Sequence, residues 1–203
     1  MSTPGPVVQP TVDISDGRAD FKPECEVRFA VVMYGGVSLA IYINGVAQEL
    51  LNMVRATAPD PDNANKALLK EEELVGAGKV YRKLGQNLFQ KLSGLDPIVS
   101  ATPLAIRTRF VVDVISGTSA GGINGVFLAK ALAQDQVMDG LKQLWLSEGD
   151  LGKLLNDKGS LADLTGFELK KPQQSLLNSQ RMYRKLLEAL DNMARPVDGN
   201  AIA

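Results

Sequence analysis

Phe110-Val111-Val112-Asp113-Val114-Ile115-Ser116-Gly117-Thr118-Ser119-Ala120-Gly121-Gly122-Ile123-Asn124-Gly125 is the most informative run of the chain. Its first half is apolar and rich in β-branched residues, which reads as a buried strand. It breaks at small residues, and an Ala/Leu-rich helical pattern follows from Val126 to Ala133. Ser119 is therefore predicted at a strand-to-helix corner. Gly117 and Gly121 flank it as G-x-S-x-G, with Thr118 and Ala120 between. Missing side chains at the two glycines let the backbone turn sharply and lift the hydroxyl above the helix N-terminus, as in a nucleophile elbow. The competing reading is a glycine-rich turn that only packs a helix tightly on a sheet.

Working outward, a second unit of the same kind lies upstream. Val27 to Met33 reads as a buried strand, runs into Tyr34-Gly35-Gly36, and continues as a helical pattern from about Leu39 to Arg55. Leu39, Ile43, Val46, Leu50, Met53 and Val54 recur at steps of three and four, the spacing of one helix face. Backbone N–H groups at a glycine-rich turn that opens a helix form a ready anion site, though such a turn also serves simple chain reversal. In parallel α/β sheets functional groups gather at the carboxyl ends of the strands, so Gly35-Gly36 and Ser119 should converge.

Composition narrows the classes. The chain has 203 residues, 45% of them hydrophobic and 22% charged, enough for one domain with a real core. A net charge of −1 gives no bulk attraction to nucleic acid or anionic membrane. A single cysteine, Cys25, rules out an internal disulfide, and no cysteine-rich metal spacing occurs, which suits a reducing, cytoplasmic setting. No metal or organic cofactor is implied. There is neither a secretory signal pattern nor a run of about 18 apolar residues for a membrane span. Histidine is absent, so a Ser-His-Asp triad has no imidazole to draw on within these residues.

The remaining segments are read as follows. Residues 1–24, with scattered Pro, Gly and Asp, suggest a mobile tail ahead of a domain over 25–203. Residues 56–66 form a linker, and 67–93 give two helical runs, the second carrying Val80, Tyr81, Leu84, Leu88, Phe89 and Leu92 on one side. Leu141, Leu144, Trp145, Leu151, Leu154 and Leu155 make an apolar patch, either core or a lipid-facing rim. Residues 160–174 read as a loop. Leu176 to Met193 reads as an amphipathic helix whose Arg181, Arg184 and Lys185 belong to a solvated face.

With Tyr34-Gly35-Gly36-Val37-Ser38 after one strand and Asp113-Val114-Ile115-Ser116-Gly117-Thr118-Ser119-Ala120-Gly121-Gly122 after the other, the chain resembles the patatin-like phospholipase family, from about Val27 to Met193. The resemblance implies a three-layer α/β/α sandwich with a mostly parallel sheet. It also implies a serine hydrolase of lipid esters that uses a Ser-Asp dyad without histidine. By it Ser119 is the nucleophile, and Gly35, Gly36 and Val37 form the oxyanion hole. Its substrate is a lipid ester met at a membrane surface, with no nucleic-acid partner.

Three features depart from the family pattern. The glycine loop has two glycines after Tyr34, with Ser38 near a position usually basic. A helical insertion lengthens the segment at about 58–106. The Asp-Gly-Gly or Asp-Gly-Ala turn that carries the dyad aspartate does not occur. Asp198, in Val197-Asp198-Gly199-Asn200, is the nearest match. Asp113 points back down its own strand and is expected to brace the loop, and Asp139 falls in a helical pattern. The dyad aspartate is expected beyond Ala203, leaving the domain incomplete at its C-terminal side. Two other readings remain: a catalytically silent lipid- or phosphate-binding module, and a histidine-dependent α/β-hydrolase truncated before its histidine.

Overall fold

The computed structural model describes residues 17–94, 105–149, 151–166 and 175–193. Within them two long strands, β1 (Phe21–Met33) and β2 (Ile106–Gly117), pair in parallel and end level, Met33 opposite Gly117. Between the strands come a 3-10 turn (Val37–Leu39), α1 (Ala40–Ala56) and α2 (Gly78–Leu92). After β2 come α3 (Ala120–Gln134), α4 (Asp139–Glu148), the short α5 (Leu151–Leu154) and α6 (Ser179–Asp191). The chain is a mixed α/β protein built on a parallel strand pair.

Helices cover one face of that pair. Met33 of β1 joins Ala40, Ile43, Ala47 and Leu51 of α1, Phe127 and Leu128 of α3, and Leu141, Leu144 and Trp145 of α4 in a single core, with Ile115 of β2 packed against it. The other face is open among the described residues: Glu24, Glu26, Arg28, Ala30 and Val32 are exposed on β1, and Val32 and Val114 stay 62% and 57% exposed. Among the described residues both strands are therefore covered on one side only, where the apolar runs predicted burial on both.

A bulge interrupts the pairing. Phe29 stands opposite Val112 but Ala30 opposite Val114, so Asp113 is the extra residue. Its carboxylate accepts from Arg28 Nη1 at 2.9 Å, and Arg28 Nη2 reaches Glu26 at 2.5 Å. Asp113 thus braces the strand pair rather than the loop after it. Hydrogen bonds to Asp113 first and Glu26 second raise the Arg28 pKa and keep its charge fixed.

Other expectations need correction. β1 begins at Phe21, so residues 21–24 are sheet, not tail; the preceding Asp20 bridges to Lys66. Residues 1–16 lie outside the described part. One helix, α2, replaces the two expected over 67–93, because turns and the bridge between Pro59 and Ala67 occupy the first stretch. Helix faces are also rotated from those marked by the large aliphatics. On α1 the buried set is Ala40, Ile43, Asn44, Ala47, Leu51, Met53 and Ala56, while Val46, and Leu39 just before the helix, are exposed. On α2 Gly85 is buried, and a Cβ there would lie 2.7 Å from Thr57 Cγ2 and 3.0 Å from Thr108 O, whereas Val80, Leu84 and Leu92 face outward. Close helix–strand approach selects small residues over bulky ones.

Two buried arginines hold the periphery. Arg82 donates from Nε to Ala56 O (2.6 Å) at the C-terminal end of α1, where carbonyls are unsatisfied, and from Nη2 to Leu69 O (2.8 Å). Arg181, expected on a solvated face, is 2% exposed and joins Glu148 (2.8 Å) and Ser160 O (2.8 Å) as well as Asp163. It pins α6, whose helix starts at Ser179 behind an Asn178 cap, to the 148–163 segment. Leu141, Leu144, Trp145 and Leu154 are core, which settles that part of the apolar patch.

Candidate active site

The two glycine-bearing corners do meet. Thr118 N–H donates to Met33 O (3.1 Å), tying the end of β2 to the end of β1, and Gly35 N–H donates to Thr118 Oγ1 (3.1 Å). The contact is so close that a Cβ on Gly35 would lie 2.7 Å from Ser119 Cβ and 2.8 Å from Thr118 O. Only glycine fits at 35.

Ser119 itself has φ 52 and ψ −125, one of two non-glycine residues with positive φ among those described. An L-residue resists this conformation at a cost of order 1–3 kcal/mol, and it persists only where the surroundings impose it. Here they do. A Cβ on Gly117 would fall 2.6 Å from Gly121 C and O, and one on Gly121 would overlap Met33 O. Gly121 N–H then closes onto Thr118 O (2.9 Å) and Ile123 N–H onto Ser119 O (3.0 Å) as α3 begins. Both glycines of G-x-S-x-G are thus demanded by contact, and the serine between them is the residue left with the strained backbone. Its side chain makes no capping hydrogen bond, and it is exposed at the sheet end while Ala120 is buried beneath it.

The loop donors divide into two kinds. Gly35 N–H is already engaged by Thr118, so its part is close packing against Ser119. Gly36, at φ 147, adopts a conformation that favours glycine, and its carbonyl accepts from Leu39 N–H (3.1 Å) to start the 3-10 turn. Gly36 and Val37 therefore lead into the 3-10 turn, a helical start whose first N–H groups have no partner within the turn itself. Of the three residues expected in an oxyanion hole, Gly35 has its N–H spent on Thr118.

Among the described residues no carboxylate bonds the Ser119 hydroxyl. Asp113 is committed to Arg28 across the strands, and Asp139 opens α4. Asp198 lies outside the described residues. No group of three or more metal-ligating side chains occurs among those described. Sequence reading passed over Asn44 and Asn124, which are 2% and 0% exposed inside the core below the corner. The available signal was a pair of amides on helix positions that face apolar neighbours.

Compared with known proteins, the chain is 30% identical over 175 residues, 83% of its length, to a protein of Mycobacterium tuberculosis named as an uncharacterized membrane protein. The chain spans only 13% of the length of that relative. No family model matches the chain, and no solved structure matches it at a significant level. No helix among the described residues is long and apolar enough to cross a membrane.

Proposed function

We propose that this chain carries the nucleophile and oxyanion loop of a patatin-like serine acyl hydrolase acting on lipid esters. The observation that carries the reading is the backbone of Ser119: φ 52 at an exposed serine on a strand-to-helix corner, with Gly35 pressed against it. Strain of this sort at a non-glycine residue is retained where it presents a group for chemistry. In the proposed reaction Ser119 Oγ bonds to the ester carbonyl carbon as an aspartate takes the hydroxyl proton. The oxyanion then accepts from Gly36 and Val37 N–H, a donor of this kind typically contributing about 3 kcal/mol. The C–O bond to the alcohol breaks, the alcohol leaves with the proton, and water releases the acyl group.

With no histidine in the sequence, the base in this proposal is a carboxylate from outside the described residues, Asp198 or one following residue 203. A carboxylate with a reference pKa of about 3.9 needs surroundings that raise it to act as a base. The same reading supplies a second helical layer against the open face at Val32 and Val114, completing a three-layer sandwich, and has the protein work in the cytoplasm at a membrane surface.

A fluorophosphonate probe tests this on the full open reading frame and the 203-residue chain side by side. Labelling at Ser119 that Ser119→Ala abolishes, with unchanged far-UV circular dichroism, is expected in the full frame. Labelling that survives in Ser119→Ala sinks the nucleophile. Full activity of the short chain, lost in Asp198→Asn, would make Asp198 the base.

A further inference from the structure

We infer that Asn124, propped by Asn44, is a positioning residue that sets the gap between the glycine loop and Ser119. This rests on the hydrolase reading of Ser119. Asn124 is fully buried in α3, and both ends of its carboxamide are engaged: Nδ2 donates to Ala120 O (2.9 Å) and Ala40 O (3.3 Å), and Oδ1 accepts from Asn44 Nδ2 (3.2 Å). Asn44 is in turn held through its Oδ1 by Gln48 Nε2 (3.0 Å).

The placement of the two carbonyls gives this network its meaning. Ala40 opens α1, four residues after Gly36, and Ala120 opens α3, directly after Ser119. One side chain thus ties the first turn behind the oxyanion loop to the first turn behind the nucleophile. An apolar side chain of similar size would fill the same space, since α1 and α3 contribute Ala47, Phe127 and Leu128 to one core. It would not fix how far one helix start slides past the other, because dispersion contacts are non-directional whereas an amide reaches both carbonyls in only one relative placement. Asn is also a poor helix former in a helix interior, so its presence needs a reason beyond helix stability.

Chemistry supplies that reason. Oxyanion donors work when held within about 0.5 Å of the productive geometry, and a displacement near 1 Å costs on the order of 100-fold in rate. The donors of Gly36 and Val37 and the hydroxyl of Ser119 sit on different corners, joined by Gly35 and Thr118 above and by Asn124 below.

The test uses the full open reading frame carrying Asn44→Leu with Asn124→Leu. Replacing both partners of a buried hydrogen bond by apolar groups of similar shape is nearly neutral for stability. Thermal unfolding should therefore stay near that of the parent, while kcat and the second-order rate of fluorophosphonate labelling fall on the order of 100-fold and KM changes less than about twofold. The amide resonances of Gly36 and Ser119 should shift. A double variant that labels and turns over at the parent rate, with those resonances unmoved, overturns the inference while leaving the hydrolase reading standing. A parent protein that does not label at Ser119 overturns the hydrolase reading and the catalytic role together; the resonances then still report whether the amides set the loop gap. Should the double variant not fold, Asn44→Ser gives the same split between kcat and KM at smaller size, and parental kcat in it counts against the inference.

Discussion

Gly35 and Ser119 touch: a single methyl added at 35 would stand 2.7 Å from Ser119 Cβ. Gly35→Ala must therefore push the loop off the corner or the corner off the strand ends. Overpacking of this kind costs about 1–3 kcal/mol, and a shift near 1 Å at the site costs on the order of 100-fold in rate. Fluorophosphonate labelling of Gly35→Ala, compared with its urea unfolding midpoint, checks both. Parental labelling would show that the loop has slack the contact does not suggest.

Strain at Ser119 should be recoverable as stability. Ser119→Gly allows φ 52 at no steric cost, whereas Ser119→Ala keeps the strain. The glycine variant is expected to be more stable than the alanine variant by about 1 kcal/mol, after the loss from its freer unfolded chain, and both are inactive. Chemical denaturation of the pair measures the difference. Equal stability would mean the conformation costs no more than the entropy that glycine adds to the unfolded chain.

Arg181 and Glu148 form a pair that is largely removed from water, with Nη2 2.7 Å from Oε2 and side-chain exposures of 2% and 10%. Arg181→Leu leaves Glu148 without its partner and should cost about 3 kcal/mol, loosening α6. Glu148→Leu added to it should regain much of that loss, since the orphaned carboxylate is then gone. Unfolding curves for the two single variants and the double variant form the cycle that decides it.

Acid should loosen the same junction. Arg181 holds the Asp163 carboxyl down at about 2, chiefly through their hydrogen bond. A folded-state value below the unfolded one adds stability above the unfolded pKa near 4, and that stability is lost as pH falls toward about 2. Hydrogen bonds to Lys185 and to Lys66 lower the pKa values of Glu188 and Asp20, which act in the same sense. Asp163→Asn should lower the unfolding midpoint at neutral pH, match the parent near pH about 2, and so flatten the fall between pH of about 4 and 2. An unchanged acid limb would place the sensitivity in other carboxylates.

By itself the sequence determined the two strand–glycine–helix units and their polarity. Apolar β-branched runs ending in small residues admit few local alternatives, so Ser119 at a corner and Gly35-Gly36 at a strand end were legible from spacing alone. Even their convergence followed, because parallel strands bring their carboxyl ends to one edge.

Tertiary structure alone decided what each side chain faces. Val80, Leu84 and Leu92 of α2 mark its outward side, because at the closest approach to Thr57 and Thr108 there is no room for a side chain at Gly85. Arg181 looked solvated because a lone basic residue carries no sign of the carboxylates that meet it from residues 148 and 163. Gly35 was legible as a loop residue, but not as one whose N–H is already taken by Thr118. Asn124 showed as an amide on an apolar helix face, but nothing local named what it binds, since Ala40 and Asn44 lie some eighty residues away and meet it only when the two helix starts are stacked. Hydrogen bonds and close contacts between distant segments depend on relative placement, and periodicity carries no information about placement.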